Sequence, residues 1–349
     1  MNTVQTRFWT LPFLAIFGIV IAGAMTWRIM QPYPIADTYP VYFGAQAWLK
    51  TGNAYNLDAV VDPFELRSFV DANGVRTTPY EQMHRYGNAY PFPLSAWLLP
   101  LSLLSPKVFA VVWIGLLTAL VMLALRWIRA PLWLLAFYPL WQGIRLEQIA
   151  IVVFVAQIVG VYAMLERSHA RSTPWLVAFA SAIAMLKPTQ GAVVALAMIV
   201  MGQMWRHWKI MLVAFGVVWG LPTLLDPNWI AEWLASSRQY RAVSLQYIPW
   251  LLAVFMIAFA WWRDWVSAAA WFQFAFTPFT WVYTAVSLPL RLLKHRLMAV
   301  IVVLSNAWIL IAALLVEQVG KARAEIAAIV LTIGLPMLLI GMKQRRESD

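Results

Sequence analysis

The residues best suited to acid–base chemistry lie in a long polar stretch, residues 31–93, between two apolar runs. This stretch holds six of the fifteen carboxylates: Asp37, Asp58, Asp62, Glu65, Asp71 and Glu81. Asp37 follows Met30 by seven residues, so even an extended chain keeps it within about 25 Å of the end of the first apolar run. Such a carboxylate could take part in catalysis, or it could cap a helix that begins just after it.

Several cations lie where later apolar runs begin or end. Arg145 precedes the run 146–165, Lys187 precedes Pro188, and Arg238 and Arg241 lie in the polar segment 225–245. A lysine at membrane depth is costly unless its ammonium reaches the surface or meets an anion. A carboxylate and several cations at one interface suit a lipid-linked phosphate ligand, while a lysine that only reaches the surface remains the alternative.

Metal and thiol chemistry are not predicted. The chain has no cysteine, which excludes a disulfide, a thiolate nucleophile and a cysteine-ligated zinc. His84 is alone in the polar stretch, and His169, His207 and His295 stand beside Arg or Lys, which is typical of solvated loops rather than of a metal site. The sequence therefore predicts no metal and no other cofactor.

Composition indicates an integral membrane protein. Hydrophobic residues make up 62% of the chain and charged residues 12%, and the mean hydropathy is +0.69, so one soluble core could not hide the apolar side chains. Backbone groups in lipid must bond within their own segment, which favours an all-α bundle of membrane helices in one domain, residues 1–349. The net charge of +11 falls in short loops, so nucleic-acid binding is not expected.

About twelve membrane helices are predicted, within a range of ten to thirteen. The first is 8–27, for which a cleaved signal peptide is the alternative because Ala22-Gly23-Ala24 resembles a cleavage site. Residues 93–105 are too short to span and should lie against the bilayer. The other predicted spans are 106–126, 131–144, 146–165, 174–187, 188–204, 208–224, 246–262, 265–277, 279–292, 295–316 and 322–342.

Charge sets the expected orientation. With a cytoplasmic N-terminus, the inner segments hold fourteen of the 26 Lys and Arg residues but only four of the fifteen Asp and Glu residues. Both termini are then cytoplasmic, and residues 31–105 form an extracytoplasmic loop. Within it, residues 39–50 predict a short interfacial helix with Val41, Ala45, Trp48 and Leu49 on the membrane face and Gln46 and Lys50 turned away.

Six sequence elements, found in the same order as in the family, make residues 8–285 resemble the polytopic GT-C glycosyltransferases, and most closely glycosyltransferase family 87. In that family the elements are an aspartate, a helix ending in G-x-x-Y, and the motifs Y-P-P, G-Q-x-N, L-K-P and S-P-x-S-W. The matching residues are Asp37, Tyr42–Tyr55, Tyr90-Pro91-Phe92-Pro93, Leu146-Glu147-Gln148-Ile149, Leu186-Lys187-Pro188 and Thr277-Pro278-Phe279-Thr280-Trp281. Glu147, Phe92 and Tyr283 depart from that pattern, where the family has Gly, Pro and often His.

The resemblance implies an inverting transferase of the bacterial plasma membrane, acting on the extracytoplasmic face. Its donor would be a polyprenyl monophosphate sugar, often of mannose, and its acceptor a lipid or glycan of the cell envelope. Asp37 would be the general base, and Lys187 would stabilise the leaving phosphate, with Arg145, Arg238 and Arg241 as weaker candidates. The other donor-binding candidates on these motifs are Tyr90, Gln148, Trp281 and Tyr283.

Two other functions remain open at this point. A transporter or flippase of a lipid-linked or anionic substrate is also polytopic and also places a few charges among its helices. Acidic residues concentrate in the outer loop rather than in mid-helix, and no inverted halves are visible, which argues against ion coupling. The motif departures would also fit an inactive relative or an assembly scaffold.

Overall fold

The computed structural model describes residues 15–23, 25–27, 30, 38–56, 59–60, 69–70, 76–77, 90–239, 249–276, 282–319 and 321–346. Most of these residues are helical, apart from a two-residue antiparallel ladder in which Phe69 pairs with Thr77 and Val70 with Arg76. The fold is therefore all-α, as the sequence predicts.

The α-helices are numbered in chain order. They are α1 (residues 15–23 and 25–27), α2 (Tyr39–Thr51), α3 (Phe92–Ser102), α4 (Pro106–Trp127), α5 (Tyr138–Arg145), α6 (Ile149–Glu166), α7 (Thr173–Ala184), α8 (Pro188–Met201), α9 (Trp208–Phe215), α10 (Leu221–Leu225), α11 (Trp229–Gln239), α12 (Pro249–Trp261), α13 (Trp265–Phe276), α14 (Met298–Asn306), α15 (Trp308–Val319), α16 (Lys321–Ile329) and α17 (Leu335–Arg346). Short π-helical stretches, Gly216–Gly220 and Val330–Gly334, join α9 to α10 and α16 to α17.

Within the described residues, four helical stretches are long and apolar enough to cross a membrane. They are Pro106–Trp127, Ile149–Glu166, Met204–Leu225 and Ala324–Lys343. This finding indicates a membrane protein. Other predicted spans, such as α7 and α8, are shorter apolar helices, and the full count of twelve stays a prediction.

Two predicted spans are not continuous α-helices. Residues 131–144 divide into a 3₁₀ segment, Leu132–Ala136, and α5, because Pro139 lacks the N–H that would continue the hydrogen-bond ladder. The described part of 279–292 forms the 3₁₀ segments Val282–Ser287 and Leu290–Leu292. Its β-branched residues and Pro289 disfavour an uninterrupted helix. An apolar run alone does not distinguish a tight, buried turn from a span.

The short helix predicted over residues 39–50 is present as α2. Val41 and Ala45 are buried and Lys50 is exposed as expected, but the prediction that Gln46 turns away is wrong. Leu49 is 49% exposed, whereas the Gln46 amide turns inward and donates to the carbonyl oxygen of Ser102, 3.1 Å away. The helix α3 lies against α2, which gives Gln46 a buried partner that periodicity could not foresee.

Helix α6 is the central helix of the bundle. In its apolar window 67% of the residues are buried, against 17% for Met204–Leu225, so the latter presents most of its surface outward. Helix α6 packs against α4, α7 and α8. Its eighteen residues rise about 27 Å, close to the roughly 30 Å of a bilayer's hydrocarbon core.

The two ends of α6 carry different polar contacts. At its C-terminal end Glu166 pairs with the ammonium of Lys294 at 2.7 Å. At its N-terminal end Gln148 accepts a hydrogen bond from Lys187 at 3.0 Å. The sequence assigns the first pair to the inner face and the second to the outer face, and the two pairs are separated by the length of one membrane helix.

Candidate functional site

Lys187 occupies a tight turn between α7 and α8. Because a proline follows, Lys187 cannot adopt the helical conformation easily, and its backbone is extended at φ −123° and ψ 81°. Its carbonyl oxygen accepts hydrogen bonds from the N–H groups of Gln190 and Gly191, both at 2.9 Å. Pro188 is thus the first residue of α8, and the turn directs a lysine into the bundle, where it is 9% exposed.

Four of the predicted site residues meet at this turn. The Nζ atom of Lys187 donates to Oε1 of Gln148 at 3.0 Å and lies 5.6 Å from the ring centroid of Tyr90 and 5.3 Å from that of Tyr283. We call Tyr90, Gln148, Lys187 and Tyr283 the lysine cluster. They come from four separate parts of the chain, and Tyr90 and Tyr283 are almost two hundred residues apart in the sequence.

The lysine cluster is a desolvated cationic environment. Ring faces attract a cation through their quadrupole, which contributes about 0.5–2 kcal/mol according to burial. The ammonium also donates a hydrogen bond to Gln148. A buried cation with aromatic neighbours is suited to an anionic ligand such as a phosphate.

The turn that carries Gln148 has an unusual backbone. Glu147 is fully buried and has φ +59°, a left-handed conformation that favours glycine. In the G-Q-x-N motif of the glycosyltransferase family that the sequence resembles, glycine stands at this position. Glu147 therefore has a backbone conformation that suits glycine better than glutamate. Gln148 follows Glu147 directly and is the N-cap residue of α6.

A hydrogen bond ties the start of α2 to the same turn. The carbonyl oxygen of Glu147 accepts from the indole N–H of Trp113 at 3.0 Å and from the hydroxyl of Thr38. Thr38 is fully buried and stands at the N-cap position of α2, where its hydroxyl makes no capping bond. The start of α2 is therefore attached to the end of the bundle that carries the lysine cluster.

Four other predicted residues cannot be compared with the lysine cluster: Asp37, Arg241 and Trp281 lie outside the described residues, and only the backbone of Arg238 is described. The guanidinium carbon of Arg145 is 5.1 Å from the ring of Trp27 and 5.8 Å from that of Trp141. These contacts join α1 to α5.

Sequence reasoning missed the glutamine that fixes the start of α8. The Gln273 amide nitrogen on α13 donates to the carbonyl oxygens of Pro188 and Thr189 at 3.1 and 2.9 Å, and its oxygen accepts from the N–H of Val193 at 2.6 Å. Gly191 has no room for a Cβ atom, which would lie 1.9 Å from the carbonyl oxygen of Ala184. The signal that could have identified Gln273 is its position as a single polar residue within an apolar run, where it needs hydrogen-bond partners.

Gln190 is a second missed residue. It is 3% exposed, and neither amide atom has a hydrogen-bond partner among the described residues. Its backbone carbonyl oxygen accepts from the amide of Gln157 at 3.2 Å, so the first turn of α8 is fixed from the side of α6 as well. A buried amide without partners is uncommon, and it lies one helical turn from Lys187.

The described residues hold no group of three or more His, Asp or Glu side chains that could bind a metal ion. Comparison with family models, with curated proteins and with solved structures gave no match to this chain.

Proposed function

We propose that the chain is a membrane glycosyltransferase of the GT-C type. It transfers a hexose such as mannose from a polyprenyl monophosphate sugar to a lipid or glycan acceptor at the extracytoplasmic face of the bacterial plasma membrane. The observation that carries this proposal is the buried Lys187 with Gln148, Tyr90 and Tyr283 around it. A twelve-helix bundle with both termini in the cytoplasm belongs to the same proposal.

The residue that follows the candidate base in the chain lies at the same end of the bundle as the lysine cluster. The Cα atoms of neighbouring residues are about 3.8 Å apart. Asp37 is bonded to Thr38, and Thr38 is fixed to the Glu147 turn that also carries Gln148. This arrangement supports a reaction that uses Asp37 and Lys187 together.

The proposed reaction is a single inverting displacement. The carboxylate of Asp37 takes the proton of an acceptor hydroxyl as that oxygen forms a bond to the anomeric carbon of the donor sugar. The bond between the anomeric carbon and the phosphate oxygen breaks, and the polyprenyl phosphate leaves with the electron pair. Lys187 stabilises the negative charge that grows on this phosphate.

The rival function, a transporter or flippase, also accounts for a cation near the bilayer surface, but it cleaves no bond. Purified protein is incubated with radiolabelled polyprenyl phosphate mannose and a lipid extract of the cell envelope. Label is expected in a new glycoside, with unlabelled polyprenyl phosphate released. Label that crosses a liposome membrane while still bound to its carrier would identify a flippase. If neither transfer nor transport of the label is observed, the protein would be an inactive relative or a scaffold.

The orientation gives a separate prediction. Because the chain has no cysteine, single cysteines can be introduced without removing native ones. Asn228 and His169 are both exposed, and the predicted topology places them outside and inside. In intact cells, a membrane-impermeant maleimide should label Asn228→Cys and should label His169→Cys only after permeabilisation. The reverse pattern would contradict the extracytoplasmic site.

A further inference from the structure

A second group of polar and aromatic side chains lies beside the lysine cluster. Its members are Trp48, Tyr55, Asp226, Trp229 and Glu232, which we call the acidic–aromatic cluster. Trp229 is packed with Trp48 and Tyr55 in one apolar group. Asp226 and Glu232 lie close enough to Tyr55 for their charges to raise the pKa of its phenol, adding to the larger effect of burial.

Three polar atoms of this cluster are buried without hydrogen-bond partners among the described residues. They are Oδ2 of Asp226, Oε2 of Glu232 and Nε1 of Trp48. Asp226 is 5% exposed, and its other oxygen, Oδ1, accepts the backbone N–H of Asn228 at 3.2 Å. Buried polar groups are nearly always bonded, so two acceptors and one donor here point to a ligand that can supply both kinds of partner.

The carboxylates are held in a costly environment. Burial raises the pKa of Asp226, although hydrogen bonds from the backbone of Asn228 and Trp229 oppose the shift. Burial also raises the pKa of Glu232, and the charge of Asp226 adds to it. Folding therefore disfavours the charged form of both carboxyl groups, a feature that is common at binding sites.

The chemistry of the cluster selects among ligands. A metal ion or an organic cation would satisfy the carboxylates but could not accept the indole N–H of Trp48. An anion would be repelled by Asp226 and Glu232. Neutral hydroxyl groups donate to carboxylates and accept from an indole, so a polyol or saccharide could satisfy all three atoms.

Tyr90 links the acidic–aromatic cluster to the lysine cluster. The hydroxyl of Tyr55 donates to the carbonyl oxygen of Tyr90 at 3.0 Å, and the ring of Tyr90 lies 5.6 Å from Nζ of Lys187. A hydroxyl-rich ligand in the acidic–aromatic cluster would therefore lie next to an anion held by Lys187. The two clusters would select different ligands: the acidic–aromatic cluster repels an anion and can bond to a neutral polyol, whereas Lys187 attracts a phosphate.

We infer that the acidic–aromatic cluster binds the acceptor, a neutral saccharide or polyol group whose hydroxyls bond to Asp226, Glu232 and Trp48. This inference rests on the proposed transferase function, since it assigns a role in that reaction. The binding itself requires no reaction, so it can be measured apart from transfer.

The test uses the full chain in nanodiscs, with mannobiose as a neutral probe and calorimetry as the readout. Asp226→Asn and Glu232→Gln neutralise one carboxylate each at nearly constant shape, and Trp48→Phe removes the indole N–H with a smaller ring. Each should weaken mannobiose binding by about tenfold or more. Asp264→Asn is the matched control, because Asp264 caps α13 through the N–H of Ser267 near the opposite end of the bundle. That variant should bind as the wild type does.

Thermal unfolding separates binding from folding. A carboxyl whose pKa is raised by folding destabilises the folded state above that pKa, and the cost disappears as the pH falls through it. At neutral pH, Asp226→Asn should therefore unfold at the same or a higher temperature than the wild type. If one variant fails to fold, the other two still decide the result.

The outcomes distinguish this inference from the proposed function. Mannobiose binding that depends on Asp226 in a protein without transfer activity would support the site and contradict the transferase. Transfer with an unchanged acceptor KM in the three variants would overturn the site alone. Calcium binding lost in Asp226→Asn, without mannobiose binding by the wild type, would also overturn it.

Discussion

Replacing Asp37 with Asn should lower the rate of sugar transfer by roughly two to four orders of magnitude, the usual contribution of a positioned general base. The amide keeps the shape of the side chain but cannot take the proton of the acceptor hydroxyl. The measurement is kcat with radiolabelled polyprenyl phosphate mannose as the donor. Binding of the donor should change little, because the amide leaves the lysine cluster intact.

Asp62→Asn is the matched control for this experiment. It removes one carboxylate from the same polar stretch and should leave kcat close to the wild-type value. An Asp37→Asn enzyme that retains full activity would exclude Asp37 as the base. If its pH dependence of transfer also matched that of the wild type, the base would have to be sought elsewhere in the chain.

Replacing Lys187 with Met should lower kcat/KM for the donor by about two to three orders of magnitude. Methionine preserves much of the apolar stem, but it removes the charge that faces Gln148, Tyr90 and Tyr283. Both kcat and KM should change, because the ammonium contacts a phosphate that is charged before the reaction and gains charge during it.

Lys294→Met is the control for the loss of a lysine. Its ion pair with Glu166 is partly exposed, and such pairs contribute little to stability. A Lys187→Met protein with a lower unfolding temperature but normal kinetics would show that Lys187 only supports packing. Lys187→Arg should recover part of the activity, since it restores the charge but not the compact ammonium.

Local patterns in the sequence predicted several of the helices and two members of the lysine cluster, Gln148 and Lys187. Apolar runs located α4 and α6 within a few residues, and the Lys187-Pro188 pair fixed the start of α8, because proline restricts the residue before it. The convergence of Tyr90 and Tyr283 on Lys187 was expected only from the resemblance. Residues almost two hundred positions apart meet through packing that no local pattern contains.

Other parts of the site could not be predicted for the same reason. Gln273 and Gln190 are single polar residues in apolar helices, and nothing in the sequence shows which carbonyl groups they reach. Asp226 and Glu232 lie in the polar segment 225–245, and nothing in the sequence shows that Oδ2 of Asp226 and Oε2 of Glu232 are buried. Burial, which decides their role, is a property of the folded bundle.

Tyr90 has a consequence for how two ligands would influence each other. Its carbonyl oxygen is held by Tyr55 and its ring stands beside Lys187, so any displacement of Tyr90 by one ligand would be transmitted to the other. Such coupling is reciprocal at equilibrium: if the phosphate carrier tightens polyol affinity by some factor, the polyol tightens carrier affinity by the same factor. A ternary complex would then accumulate in preference to either half-filled state, which would protect the carrier from attack by water.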